Sequence, residues 1–142
     1  MSYQLRDHTA DVAVEATAST LSGVFAAVAE GFTAASCDAV PTGGERFGMT
    51  VTAESREAAL FDYLDGLVYE RDVRLVLPAD HEVAVHEPDE TAAAGNEWHV
   101  EATARGVPLS LVDAREIKAV TYSEMTLERR NGEWYAYVVF DV

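Results

Sequence analysis

Asn131-Gly132 divides the run TYSEMTLERR-NG-EWYAYVVFDV into two alternating halves, and no other stretch of the chain limits the possible folds as sharply. An Asn-Gly pair tolerates positive φ at both positions, which a two-residue hairpin turn requires, and the flanking alternation supplies the two strands. With Arg130 opposite Glu133, each step outward sets a cross-strand pair. Leu127 then faces Ala136, Met125 faces Val138 and Ser123 faces Phe140 on a largely apolar side, while Thr126 faces Tyr137 and Tyr122 faces Asp141 on the other. The spacing thus places Asp141 and Val142 on an ordered strand beside KAVTY, with the chain stopping there rather than in a trailing tail.

Upstream, Tyr3 to Arg6 reads as a short extended segment, and Val12, Val14 and Ala16 alternate as a strand. Ser19 or Thr20 caps a helix carrying Leu21, Phe25, Val28 and Phe32 at helical spacing, which fades near Cys37. Pro41 to Gly44 is a loop, and Phe47, Met49 and Val51 form the next strand. Ser55 caps a second helix with Leu60, Phe61, Leu64, Leu67 and Val68 on one face. Leu75 to Leu77 and Val83 to Val85 read as two short strands separated by Pro-Ala-Asp-His. The acidic stretch HEPDETAAAGNE is an exposed hairpin loop, and Trp98, Val100, Ala102 and Ala104 return as a strand. The order β, α, β, α and then a run of strands predicts an α+β fold, two helices packed on mainly antiparallel sheet, in one domain over residues 1–142.

The formal net charge of −15 narrows the chemistry. So acidic a surface repels phosphate backbones, which argues against strong direct binding of nucleic acid. Of the 10 basic residues one is a lysine, Lys118, a balance that also fits adaptation to a salt-rich cytoplasm, so acidity alone does not mark a metal site. No apolar run is long enough to span a bilayer and MSYQLRDH lacks an apolar signal core, so a cytoplasmic location is expected. The single cysteine, Cys37, excludes an intramolecular disulfide and a thiolate cluster. No GxSxG or phosphate-loop pattern is present. His81 and His86 lie five apart and would face opposite sides of one strand, with His8 and His99 far off in sequence, a poor start for a zinc site.

Hard cations are the better match, because they take carboxylate and carbonyl oxygens. Asp141 offers a side-chain carboxylate and Val142 the α-carboxylate, and Asp11, in the motif DHTAD, would join them if the first and last strands are neighbours. The competing reading makes Asp11 a turn cap and Asp141 a solubilising edge residue. Lys118, retained inside the apolar segment IKAVTY, suggests either a specific partner or a snorkelling strand residue.

DHTADVAVEA, the helices TLSGVFAAVAEGF and ALFDYLDGLVYERD, and EIKAVTYSEM with the terminal VVFDV together resemble the archease family from end to end and in the same order. The resemblance implies an accessory protein rather than an enzyme. Its partner would be the catalytic subunit of the tRNA-splicing RNA ligase, whose active-site histidine it helps to guanylylate, with multiple turnover and broadened nucleotide use as results. It also implies a divalent metal, typically Ca2+ in the family, held here by Asp11, Asp141 and Val142. Asp7, His8, Lys118 and Tyr122 are the expected supporting or partner-contacting residues. The chain departs from the family pattern at Ser123, where a histidine is usual after KAVTY, and at Ala13, where glycine is common. The alternative reading is a chaperone-like binding module without a specific ligase role, and a weaker one is a small metal-dependent hydrolase.

Overall fold

The computed structural model describes residues 2–7, 11–88 and 97–142. The elements run β1 (Ser2–Asp7), β2 (Asp11–Ala18), α1 (Leu21–Ser36), β3 (Glu45–Ala53), α2 (Arg56–Arg74), β4 (Val76–His86), β5 (Trp98–Pro108), β6 (Ala119–Arg130) and β7 (Glu133–Asp141), with a 3-10 turn at Leu109–Leu111. Strands from both ends of the chain form one sheet in the order β1-β2-β7-β6, and the middle strands form another, β3-β5-β4. Every strand pairing is antiparallel.

Both helices start where a side chain can satisfy a free amide. Thr20 Oγ1 accepts from Gly23 N–H at 2.9 Å, and Ser55 Oγ accepts from Ala58 N–H at 3.1 Å. Helix α1 packs on β2 of one sheet and β4 of the other, and α2 on β6 and β3, so the helices form a layer between two sheets. That position explains why α1 is buried on most sides, from Val24 through Phe32. Val14, Ala16, Phe25, Phe32, Leu60, Tyr63, Leu64, Val138 and Phe140 belong to one core spanning all three layers. The domain is therefore α+β with two helices and two antiparallel sheets, as the pattern of elements predicted.

Close approach of α1 to β2 depends on Gly31, where a Cβ would lie 2.5 Å from Cγ1 of Val14. Val14 is β-branched and fully buried, so it has little freedom to yield. Gly31→Ala should therefore destabilise the fold by about 1–2 kcal/mol despite alanine's better helix propensity, because overpacking outweighs the propensity gain. Urea unfolding measures this; a stability equal to or above wild type would show that α1 rides higher on β2 than described.

Two irregularities correct the sequence-based register. The β6–β7 turn forms as expected, with positive φ at Asn131 (53°) and Gly132 (81°), and Arg130–Glu133, Leu127–Ala136 and Thr126–Tyr137 pair as expected. Beyond Thr126 the register slips, and Thr121 pairs with Val139, Val120 with Phe140 and Ala119 with Asp141. Residues 122 to 125 thus stand against Val138 alone, and Tyr122 does not face Asp141, nor Ser123 Phe140. In the second sheet, the two strands expected around Pro78 to His81 are one strand, β4, with a bulge between Ala79 and Glu82. Leu75 belongs to neither strand; it caps α2 in a left-handed conformation. The expected loop HEPDETAAAGNE falls mostly on positions 89–96, outside the described residues.

Candidate functional site

Asp11 opens β2, Asp141 closes β7, and the two strands are neighbours in which Asp11 and Asp141 are directly opposed. Directly opposed residues project from the same side of the sheet. The next pair, Val12 with Phe140, lies on the other side, and Phe140 is fully buried in the core, so the two aspartates sit on the outer face. Both are half-buried. On its other flank Asp141 pairs with Ala119 of β6, and the Lys118 N–H donates to the Asp141 carbonyl at 2.8 Å. Main-chain bonds thus hold Asp141 between two strands. Val142, one residue on, is half-buried and packs against the core.

The residues picked out around this pair divide. Lys118 is at the site, but what reaches Asp141 is its amide; its side chain is exposed. Sequence reasoning looked to the rare ammonium and missed the main-chain anchor, which only the register reveals. Tyr122, displaced by the β6 bulge, lies with its ring 4.9 Å from that of Phe61 on α2. Asp7 ends β1 opposite Val12 rather than Asp11. His8 lies outside the described residues.

The remaining histidines take other partners. His81 is buried and bonded to Thr33, His99 Nδ1 lies 3.1 Å from Thr52 Oγ1, and His86 Nε2 is 3.8 Å from a Glu101 oxygen. Cys37 is half-buried and its thiol donates to the Ala39 carbonyl at 3.2 Å. Among the described residues no group of three or more His, Cys, Asp or Glu side chains gathers as a metal site. A metal at the strand ends would therefore draw on two aspartates and the α-carboxylate of Val142. That donor set is all oxygen, and it suits a hard divalent cation. Like charges placed directly opposite across a strand pair repel, and a cation between them removes that repulsion. A shallow groove of about 620 Å3 lies elsewhere, over Gly48, Ala84 and Thr103 on the outer face of β3-β5-β4; it contains neither the opposed aspartates nor Val142, Lys118 or Tyr122.

The fold and this pair define a class, a three-layer β/α/β domain with an acidic site where its first and last long strands meet. The chain belongs to the Archease protein family (MTH1598/TM1083), whose model matches residues 3–142. It is 33% identical to the protein archease of Archaeoglobus fulgidus, with 100% of each chain covered. Against the protein archease of Methanosarcina mazei it is 31% identical, over 99% of this chain and 95% of that one. The solution structure of Methanobacterium thermoautotrophicum protein 1598 superposes with a TM-score of 0.82 at 27% identity, covering 99% and 98% of the two chains. The crystal structure of a Thermotoga maritima archease, described as a possible chaperone, shares the fold with a TM-score of 0.63 at 23% identity, over 96% and 94%. No helix among the described residues is long and apolar enough to cross a membrane.

Proposed function

We propose that the chain is an accessory activator of the tRNA-splicing RNA ligase, acting on the ligase catalytic subunit in the cytoplasm and not itself a catalyst. In this reading it promotes guanylylation of the ligase's active-site histidine, permits multiple turnover and broadens nucleotide use. Family membership supports it, and the observation that carries the site assignment is Asp11 directly opposite Asp141 on adjacent strands. Asp11, Asp141 and the Val142 α-carboxylate would hold a divalent ion, Ca2+ being the best match to an all-oxygen donor set. Such an ion would present a positive centre for phosphate oxygens on an otherwise acidic face. The chain's own contribution is placement, with β2 and β6 bracketing Asp141 and the Lys118 amide fixing its carbonyl. The charge of −15 fits a division of labour in which the ligase holds the RNA.

Asp11→Asn and Asp141→Asn should each weaken Ca2+ binding by more than about tenfold by calorimetry, since even residues behind the ligands change affinity that much. Each should also remove the stimulation of guanylylation and turnover when the ligase is reconstituted with this protein. With the metal chelated, each variant should be as stable as wild type or more so, because one of two opposed charges is gone. Variants that stimulate as well as wild type would overturn the site. Wild-type protein that leaves ligase turnover unchanged but suppresses aggregation of unrelated clients would favour the chaperone-like reading instead.

A further inference from the structure

Seven large hydrophobic side chains are exposed among the described residues, and four gather at the C-terminal end of α2. Tyr69 and Val73, 62% and 60% exposed, are one turn apart on its outward face, and Leu75, 67% exposed, follows the last turn. The Leu75 carbonyl accepts from Leu109 N–H at 3.0 Å, which sets the Leu109–Leu111 turn beside it, and Leu111 is 63% exposed. On the same outward face, Asp65 lies one turn before Tyr69 and Asp62 one turn further back, both exposed.

Leu75 is the informative member. Its φ of 56° and ψ of 46° are left-handed, where a Cβ crowds the chain and glycine or asparagine is favoured. Leucine here suits neither the backbone nor the solvent around it. Exposed apolar clusters of this kind, edged by charge, mark surfaces that another molecule covers.

We propose that this end of α2 is a docking face for a cationic amphipathic helix of a protein partner. Its apolar side would cover Tyr69, Val73, Leu75 and Leu111, and its Lys or Arg side chains would meet Asp62 and Asp65. This rests on the reading that the chain works through a protein partner. A second copy of this chain is a poor occupant because its own matching basic groups are engaged. Arg71 is buried and donates to Asp72 at 2.9 Å, and Arg74 pairs with Glu70 over the ring of Phe47. A net charge of −15 adds general repulsion between copies.

The test uses a fluorescent leucine–lysine amphipathic helical peptide and a scrambled peptide of the same composition, both at high ionic strength so that long-range attraction is screened. The amphipathic peptide should bind wild-type protein saturably, with amide-exchange protection at the C-terminal end of α2, and the scrambled one should bind at least about tenfold more weakly. Tyr69→Ser with Val73→Ser should lose at least about tenfold in affinity. Leu75→Gly should also weaken binding while raising the unfolding midpoint by about 2–4 °C, a combination that a purely structural role for Leu75 does not produce. Equal binding of the scrambled peptide, unchanged affinity of the variants, or protection elsewhere would each overturn the proposal. Because no ligase enters this experiment, its failure and a failure of ligase stimulation are separate results.

Discussion

Replacing Phe140 by alanine should destabilise the protein by about 3–5 kcal/mol, the range for a fully buried phenylalanine whose neighbours cannot close the gap. Phe140 is completely buried, opposite Val12 on β2 and Val120 on β6, with its ring centroid 5.6 Å from that of Phe32 on α1. Strands on both flanks are hydrogen-bonded to β7, so neither can move inward without breaking its ladder. Because Phe140 precedes Asp141, the same substitution should loosen the outer-face pair and weaken the Ca2+ binding proposed for it. Urea unfolding at fixed salt measures the first effect and calorimetry the second. A loss under about 1 kcal/mol would mean that the core relaxes around the missing ring.

Acid should act through His81. Thr33 Oγ1 lies 2.7 Å from the Pro78 carbonyl, to which its hydroxyl donates, so His81 Nε2–H is the donor in the 2.8 Å bond to Thr33. Nδ1 is then a buried acceptor, without a hydrogen-bond partner among the described residues. A proton added there would be buried without an acceptor. Burial accordingly lowers the His81 pKa to about 4, with Asp80 and the Pro78 carbonyl pulling it up and Arg46 pushing it down. The unfolded chain takes up this proton near pH 6.5 and the folded protein only near pH 4, so stability is lost as pH falls between them. The limit for one group moved this far is on the order of 3 kcal/mol. Glu30, whose carboxylate accepts from the His81 amide, opposes part of this, since burial raises its pKa and its protonation favours the fold. His81→Gln keeps a donor for Thr33 and cannot titrate. It should flatten the dependence of unfolding free energy on pH across this window, and a slope matching wild type would exclude His81 as the source.

The elements legible in the sequence were those specified by neighbours a few residues apart. Thr20 and Ser55 announce their helices because a cap needs only the next turn, and Asn131-Gly132 announces its hairpin because positive φ at both positions is a local demand. Alternation carried the β6–β7 register correctly as far as Thr126 and failed at the bulge, because period-two counting has no means of adding residues to one strand. The structure marks the slip at Tyr122, Ser123 and Glu124, three consecutive exposed positions where alternation would bury the middle one. The bulge at Asp80 and His81 likewise made one strand look like two. Ligand types at the candidate site could be read from carboxylates near both ends of the chain. Their adjacency could not, because pairing β2 with β7 is a long-range choice made by the three-layer core.

The order β1-β2-β7-β6 has a consequence during synthesis. β2 is among the first strands translated, and the strand it pairs with on its inner side is the last. Until β7 is made, β2 and β6 have nothing between them, and the face that will cover α1 is incomplete. Assembly of this sheet waits for the final strand, and a product truncated before β7 would leave two strand edges open to pairing with other nascent chains.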